Sequence, residues 1–238
     1  MIAKMDVNDL STFSVAADRP GSNLAAMDLK DFEEAMAHVC HDLTEFGWAN
    51  LSVLDYVPPE LIPALMAEVR QLHSEGSMKE AGIGRGANHS RDRSIRRDRI
   101  VWLKGDTEPQ AALFQFLELV RMDLNRLLFL GLSRFEAHYA SYESGDFYRR
   151  HIDSFKGRRS RIVSMVLYLN DQWQSQDGGM LRLFNRDSPD EICGTVLPEA
   201  GRMVLFMSEE MPHEVLTAQR TRYSLACWFR QDEVPIPL

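Results

Sequence analysis

The sequence predicts a mainly β chain, a sandwich or barrel preceded by helices. Three observations carry the prediction. Apolar residues recur in alternating steps of three and four only before Gly131. After it, short strand-like runs recur at 134–142, 146–152, 161–169, 180–184, 192–197, 202–207 and 221–230. Turn-formers such as Ser144-Gly145, Asp177-Gly178-Gly179 and Glu199-Ala200-Gly201 separate many of these runs.

Taken in order, residues 1–27 show no clear period and read as a loosely held N-terminal segment. Leu29, Phe32, Met36, Val39, Leu43 and Phe46 form one helix face, with Asp28 as N-cap and Gly47 as stop. A second helix follows Pro58-Pro59, carried by Leu61, Leu65, Val69 and Leu72 and ending near Gly76. Residues 76–90 are glycine-rich but match neither phosphate-loop pattern, so no nucleotide role is assigned. Ile95–Leu103 reads as a strand. A third helix opens at Thr107, with Gln110 three residues on as a capping-box signature, and runs to Gly131. The chain therefore divides into 1–27, a helical support region 28–131, a β core 132–231 and a tail 232–238.

Composition narrows the function classes. With 238 residues, 45% apolar and 26% charged, wholesale disorder, collagen and coiled coil are excluded. No run of ~18 apolar residues is present, and no membrane partner is expected. Acids in the first ten residues occupy the place where a secretory signal is apolar, so a cytoplasmic location is expected. Three cysteines without a C-x-x-C disfavour a disulfide framework and a zinc knuckle. A net charge of −8 disfavours a broad nucleic-acid surface. The arginines at 91, 93, 96, 97 and 99 are interleaved with Asp92 and Asp98 and read as a solvated loop over the site.

Chemistry concentrates in His151, Asp153 and His213. On a strand, residues i and i+2 share a face, so His151 and Asp153 can reach one metal, and a barrel can bring His213 to them. Two imidazoles and one carboxylate suit non-haem Fe(II) oxygen chemistry. Among seven histidines and many acids, H-x-D taken alone is as readily a chance tripeptide. Arg222, Ser224, Ala226 and Trp228 share one face of the last strand, while Tyr223, Leu225, Cys227 and Phe229 are suited to packing on helices. An interior Arg222 needs an anion, either a ligand carboxylate or a structural acid.

Four stretches resemble 2-oxoglutarate- and Fe(II)-dependent prolyl hydroxylases. They are His213–Tyr223 ending near Trp228, Tyr148–Asp153, Leu167–Asn170 and Gly178–Phe184. Ile95–Trp102 is similar to the early strand of the hypoxia-sensing prolyl hydroxylases and their bacterial relatives. The resemblance covers roughly residues 40–230.

It implies a double-stranded β-helix, a jelly-roll barrel of the cupin type, with iron on His151, Asp153 and His213. Arg222 and Tyr168 would bind the far carboxylate of 2-oxoglutarate, and Tyr142 would stand near its iron-bound end. Trp228 would line the substrate side, and Arg161 with Asp98 would link the substrate loop to the core. O2 would be the oxidant and ascorbate a reductant. The substrate would be a protein with an exposed proline loop, of translational or regulatory kind. The family's usual hydroxyl residue four places after the arginine is Ala226 here, and the loop before His151 is shorter. A hydroxylase of a free amino acid or small molecule, a non-catalytic barrel and a nucleic-acid demethylase are the alternatives.

Overall fold

The structure, a computed structural model, describes residues 29–82, 92–154 and 161–231. The expected N-terminal segment, Asp28, the tail and most of the 82–90 loop lie outside the described residues.

Helix α1 (Leu29–Phe46) follows from its spacing, since Phe32, Met36, Val39, Cys40 and Leu43 are all buried on one side. It ends at Gly47, whose φ of +79° lets its amide reach the Leu43 carbonyl at 3.1 Å. A Cβ there would meet Met211 Sδ at 2.7 Å, so helix end and barrel wall need glycine together. Helix α2 (Leu61–Ser74) buries Leu61, Leu65 and Val69. Helix α3 (Glu108–Leu128) is capped by the Thr107 hydroxyl, which accepts the Gln110 N–H at 3.3 Å. The reciprocal half of the expected capping box is not made. Gln110 Oε1 accepts the Lys104 and Gly105 amides instead, because the turn at Gly105 presents two donors together.

Seven antiparallel strands form the larger sheet, in the order β1 (Trp48–Ser52), β9 (Arg202–Met207), β6 (Val163–Tyr168), β11 (Arg222–Arg230), β4 (Arg134–Tyr142), β3 (Arg99–Trp102) and β2 (Lys79–Glu80). Four form the smaller, in the order β5 (Tyr148–His151), β10 (His213–Val215), β7 (Leu181–Phe184) and β8 (Ile192–Val196). The arrangement is that of a jelly roll, a double-stranded β-helix whose two sheets face each other without closing into one continuous barrel.

Period-two alternation sorts the strand residues into two cores. Leu225, Cys227 and Phe229 pack with Met36, Leu65 and Leu117 of the helices behind the larger sheet. Ala140, Tyr142, Tyr168, Leu183, Val204 and Phe206 fill the space between the sheets. The expected strand Ile95–Leu103 is split. Residues 99–102 join the larger sheet, whereas Arg96 bridges to Tyr148 of the smaller one. Strands β1, β2 and β10 fall outside the expected runs. Among the described residues, no helix is long and apolar enough to cross a membrane.

Candidate active site

His213 and His151 are register partners in the β10–β5 ladder, which sets their rings 4.2 Å apart. Asp153 lies past the end of β5, so the expected i, i+2 relation on one strand is not what delivers it. The turn after His151 does, and two hydrogen bonds fix the carboxylate: Ser164 Oγ donates to Oδ2 at 2.7 Å and Trp228 Nε1 donates to the same oxygen at 2.9 Å. Oδ1 then faces His151 Nε2 at 3.5 Å and His213 Nε2 at 3.8 Å. One ligand atom from each residue lies within 4.8 Å of the others.

The donor chemistry fits a divalent metal. His151 Nδ1 lies 2.8 Å from the Arg149 carbonyl and His213 Nδ1 lies 3.0 Å from that of Met211. Each carbonyl can only accept, so both rings donate from Nδ1 and present Nε2, the atom a metal would take, toward Asp153. Burial, reinforced by the charge of His151, lowers the His213 pKa to about 4 against the pull of Asp153. Burial works to raise the Asp153 carboxyl, but His213, His151 and Ser164 overcome it and hold the group well below the usual carboxylate range. The donor set is two imidazoles and one carboxylate, the combination that suits Fe(II) with open positions.

Arg222 lies deeper in the same inter-sheet space and is 1% exposed. Its Nε donates to the Gly179 carbonyl at 2.8 Å and Nη1 to Ser224 Oγ at 3.1 Å. The guanidinium carbon stands 4.9 Å from the Tyr142 ring centroid and 5.0 Å from that of Tyr168. No carboxylate pairs with it among the described residues, which removes the structural ion pair as an explanation. Tyr168 Oη is buried with no hydrogen-bond partner, and burial pushes its phenol up to about 12 despite the Arg222 charge. A buried cation and an orphaned buried hydroxyl side by side are a cradle for one carboxylate.

The expected link between Arg161 and Asp98 is corrected. They do not pair. Asp98 is saturated by a two-pronged contact with Arg96, at 2.7 and 2.5 Å. Arg161 donates through Nε and Nη2 to Glu136 Oε1 and lies 3.7 Å over the Trp228 ring. Glu136 is nearer because it stands opposite Trp228 in the β4–β11 register.

Sequence reasoning missed Ser164, Tyr148 and Gly179. Tyr148 stacks on His151 at 3.5 Å, with Arg96 on the Tyr148 ring at 4.3 Å. Gly179 has a φ of +63°, and a Cβ there would lie 2.9 Å from Arg222 Cδ. The Gly178-Gly179 pair was the available signal: the second glycine permits close approach of the arginine.

A sequence model of the 2OG-Fe(II) oxygenase superfamily matches residues 137–230. Human prolyl hydroxylase EGLN3 is 26% identical over 222 residues, spanning 88% of this chain and 88% of the relative. A crystal structure of a Pseudomonas putida prolyl-4-hydroxylase is 41% identical, with a TM-score of 0.73, covering 83% of this chain and 99% of that one. A Trichoplax adhaerens prolyl hydroxylase, solved with a hypoxia inducible factor oxygen degradation domain peptide, is 25% identical. Its TM-score is 0.75, and the match covers 90% of this chain and 96% of that one.

Proposed function

The chain belongs to the 2OG-Fe(II) oxygenase superfamily, in its prolyl hydroxylase branch, and from that premise we propose that it hydroxylates prolyl residues in a protein substrate. It is a 2-oxoglutarate-dependent dioxygenase. The observation that carries the site assignment is Arg222, a fully buried guanidinium without an acid partner among the described residues, in the same interior as the His151, Asp153 and His213 cluster. The comparisons favour neither a free-amino-acid hydroxylase nor a non-catalytic barrel.

His151 Nε2, Asp153 and His213 Nε2 would hold Fe(II). With 2-oxoglutarate and O2, the metal supplies oxidative decarboxylation to succinate and carbon dioxide coupled to C–H hydroxylation. Arg222 grips the far carboxylate of the cosubstrate through its planar fork, and the protonated Tyr168 hydroxyl donates to the same group. Ser224 and the Gly179 carbonyl aim the guanidinium. Tyr142 and Phe206 wall the cavity and exclude water. Asp153 also argues for hydroxylation over halogenation, because a halide needs the carboxylate's place. Residues 132–231 carry this chemistry, and the helices of 28–131 brace the larger sheet from behind. The free thiols of Cys40, Cys193 and Cys227 support a reducing, cytoplasmic setting, where ascorbate can serve as reductant.

The test is to compare proteins from cells with and without the chain for prolyl residues heavier by one oxygen atom. Prolines modified only when the chain is present are expected. No chain-dependent prolyl oxidation, while purified enzyme consumes 2-oxoglutarate with another acceptor, overturns the reading.

A further inference from the structure

We infer that Arg97 and Arg149 form a docking site for an acidic segment of the protein substrate, an inference that rests on the protein-substrate reading above. Both guanidinia pack on the Phe147 ring, at 4.8 Å and 5.4 Å from its centroid. Each is anchored through Nε to a backbone carbonyl, Arg97 to that of Arg93 at 2.9 Å and Arg149 to that of Ser94 at 2.5 Å. The backbones are tied as well, by Arg97 N–H to the Phe147 carbonyl at 3.2 Å and Arg149 N–H to the Ile95 carbonyl at 2.8 Å. Both side chains are therefore held in place before any ligand arrives, which lowers the ordering cost of binding.

Neither guanidinium has a carboxylate within 4.0 Å among the described residues, although both are exposed. Their neighbours are paired: Arg93 with Glu80, Arg96 with Asp98 and Arg150 with Asp190. The adjoining segment 83–91 contains no acid in its sequence. On a chain of net charge −8, two unpaired arginines on one ring are an uncompensated local field. Their remaining N–H groups match the fork that carboxylates accept.

Position links this pair to the reaction. The irregular β10–β5 register turns Tyr148 and His151 inward and leaves Arg149 and Arg150 on the exposed side. Arg149 is two residues from His151, about 7 Å of extended chain. A substrate whose proline enters the site has flanking residues within reach of the pair.

The experiment measures fluorescence anisotropy of a labelled peptide with a central proline flanked by glutamates, and of its glutamine twin, on the full chain. The acidic peptide is expected to bind about tenfold more tightly, with the advantage shrinking as salt is added. Arg97→Gln/Arg149→Gln should abolish the advantage. Arg70→Gln/Arg126→Gln, an equal loss of charge on α2 and α3, should retain it. If the first variant fails to fold, Arg97→Gln alone should reduce the advantage about threefold. Equal binding of the twins, or equal loss in both double variants, overturns the docking site. Mass spectrometry of the proline is read separately. An acidic peptide that binds at saturation and never gains oxygen counts against prolyl hydroxylation and leaves the docking site standing. Oxidation without charge preference counts against the docking site alone.

Discussion

Trp228 and Asp153 are joined by a hydrogen bond from the indole Nε1 to Oδ2 at 2.9 Å. Ser164, the register partner of Trp228, donates to the same oxygen. One β6–β11 pair thus orients the only carboxylate of the His-Asp-His cluster.

Trp228→Phe keeps the aromatic surface under Arg161 and removes one donor from Asp153. Fe(II) affinity should fall about 10- to 100-fold, with Ser164 still holding the carboxylate. Titration of metal-free protein with Fe(II) measures this, and an unchanged affinity would show that the indole N–H has no part in orienting Asp153.

His213→Ala removes a ligand whose Nε2 faces Asp153 at 3.8 Å. Iron content per chain, measured after purification and reloading, should drop far below one. Wild-type occupancy in the variant would sink the metal assignment.

Arg222→Ala should keep its iron and need about 10- to 100-fold more 2-oxoglutarate, the cost of a lost charged hydrogen bond. Arg222→Lys should recover part of the loss, because a point charge remains without the fork. The readout is the 2-oxoglutarate dependence of decarboxylation, and identical dependence in all three proteins would refute the role.

His138 is a buried histidine between Trp102 and Trp228, and burial lowers its pKa from 6.5 to about 4, opposed by Asp98 and assisted by Arg96. Its folded-state pKa lies below its unfolded one, so the unfolded chain binds the extra proton as pH falls. The stability penalty grows from pH 6.5 downward and is complete below about pH 4, at roughly 3 kcal/mol. His138→Phe should flatten the melting-temperature profile in that window relative to wild type. Parallel profiles would mean that His138 does not stay neutral in the fold.

Local pattern alone determined the helices and most strands, whereas the site residues were legible through the resemblance of their flanking stretches to a family. Residues 134–142 and 202–207 coincide with β4 and β9 because a strand-length run bounded by turn-formers is a local property of the chain, although burial along both strands is nearly continuous rather than alternating. Phe32 to Leu43 mark α1 by a period of 3.6, which is also local. Strand β1 escaped because five residues directly after the helix stop at Gly47 are too short a run to stand out, and β10 because three residues are fewer still. Tertiary structure alone decided two sets of pairings: Arg161 with Glu136, and Ser164 and Trp228 on one oxygen of Asp153. These follow from inter-strand register, which sets Glu136 and Ser164 on either side of Trp228. Both depend on contacts between residues far apart in the chain, and no local periodicity encodes them.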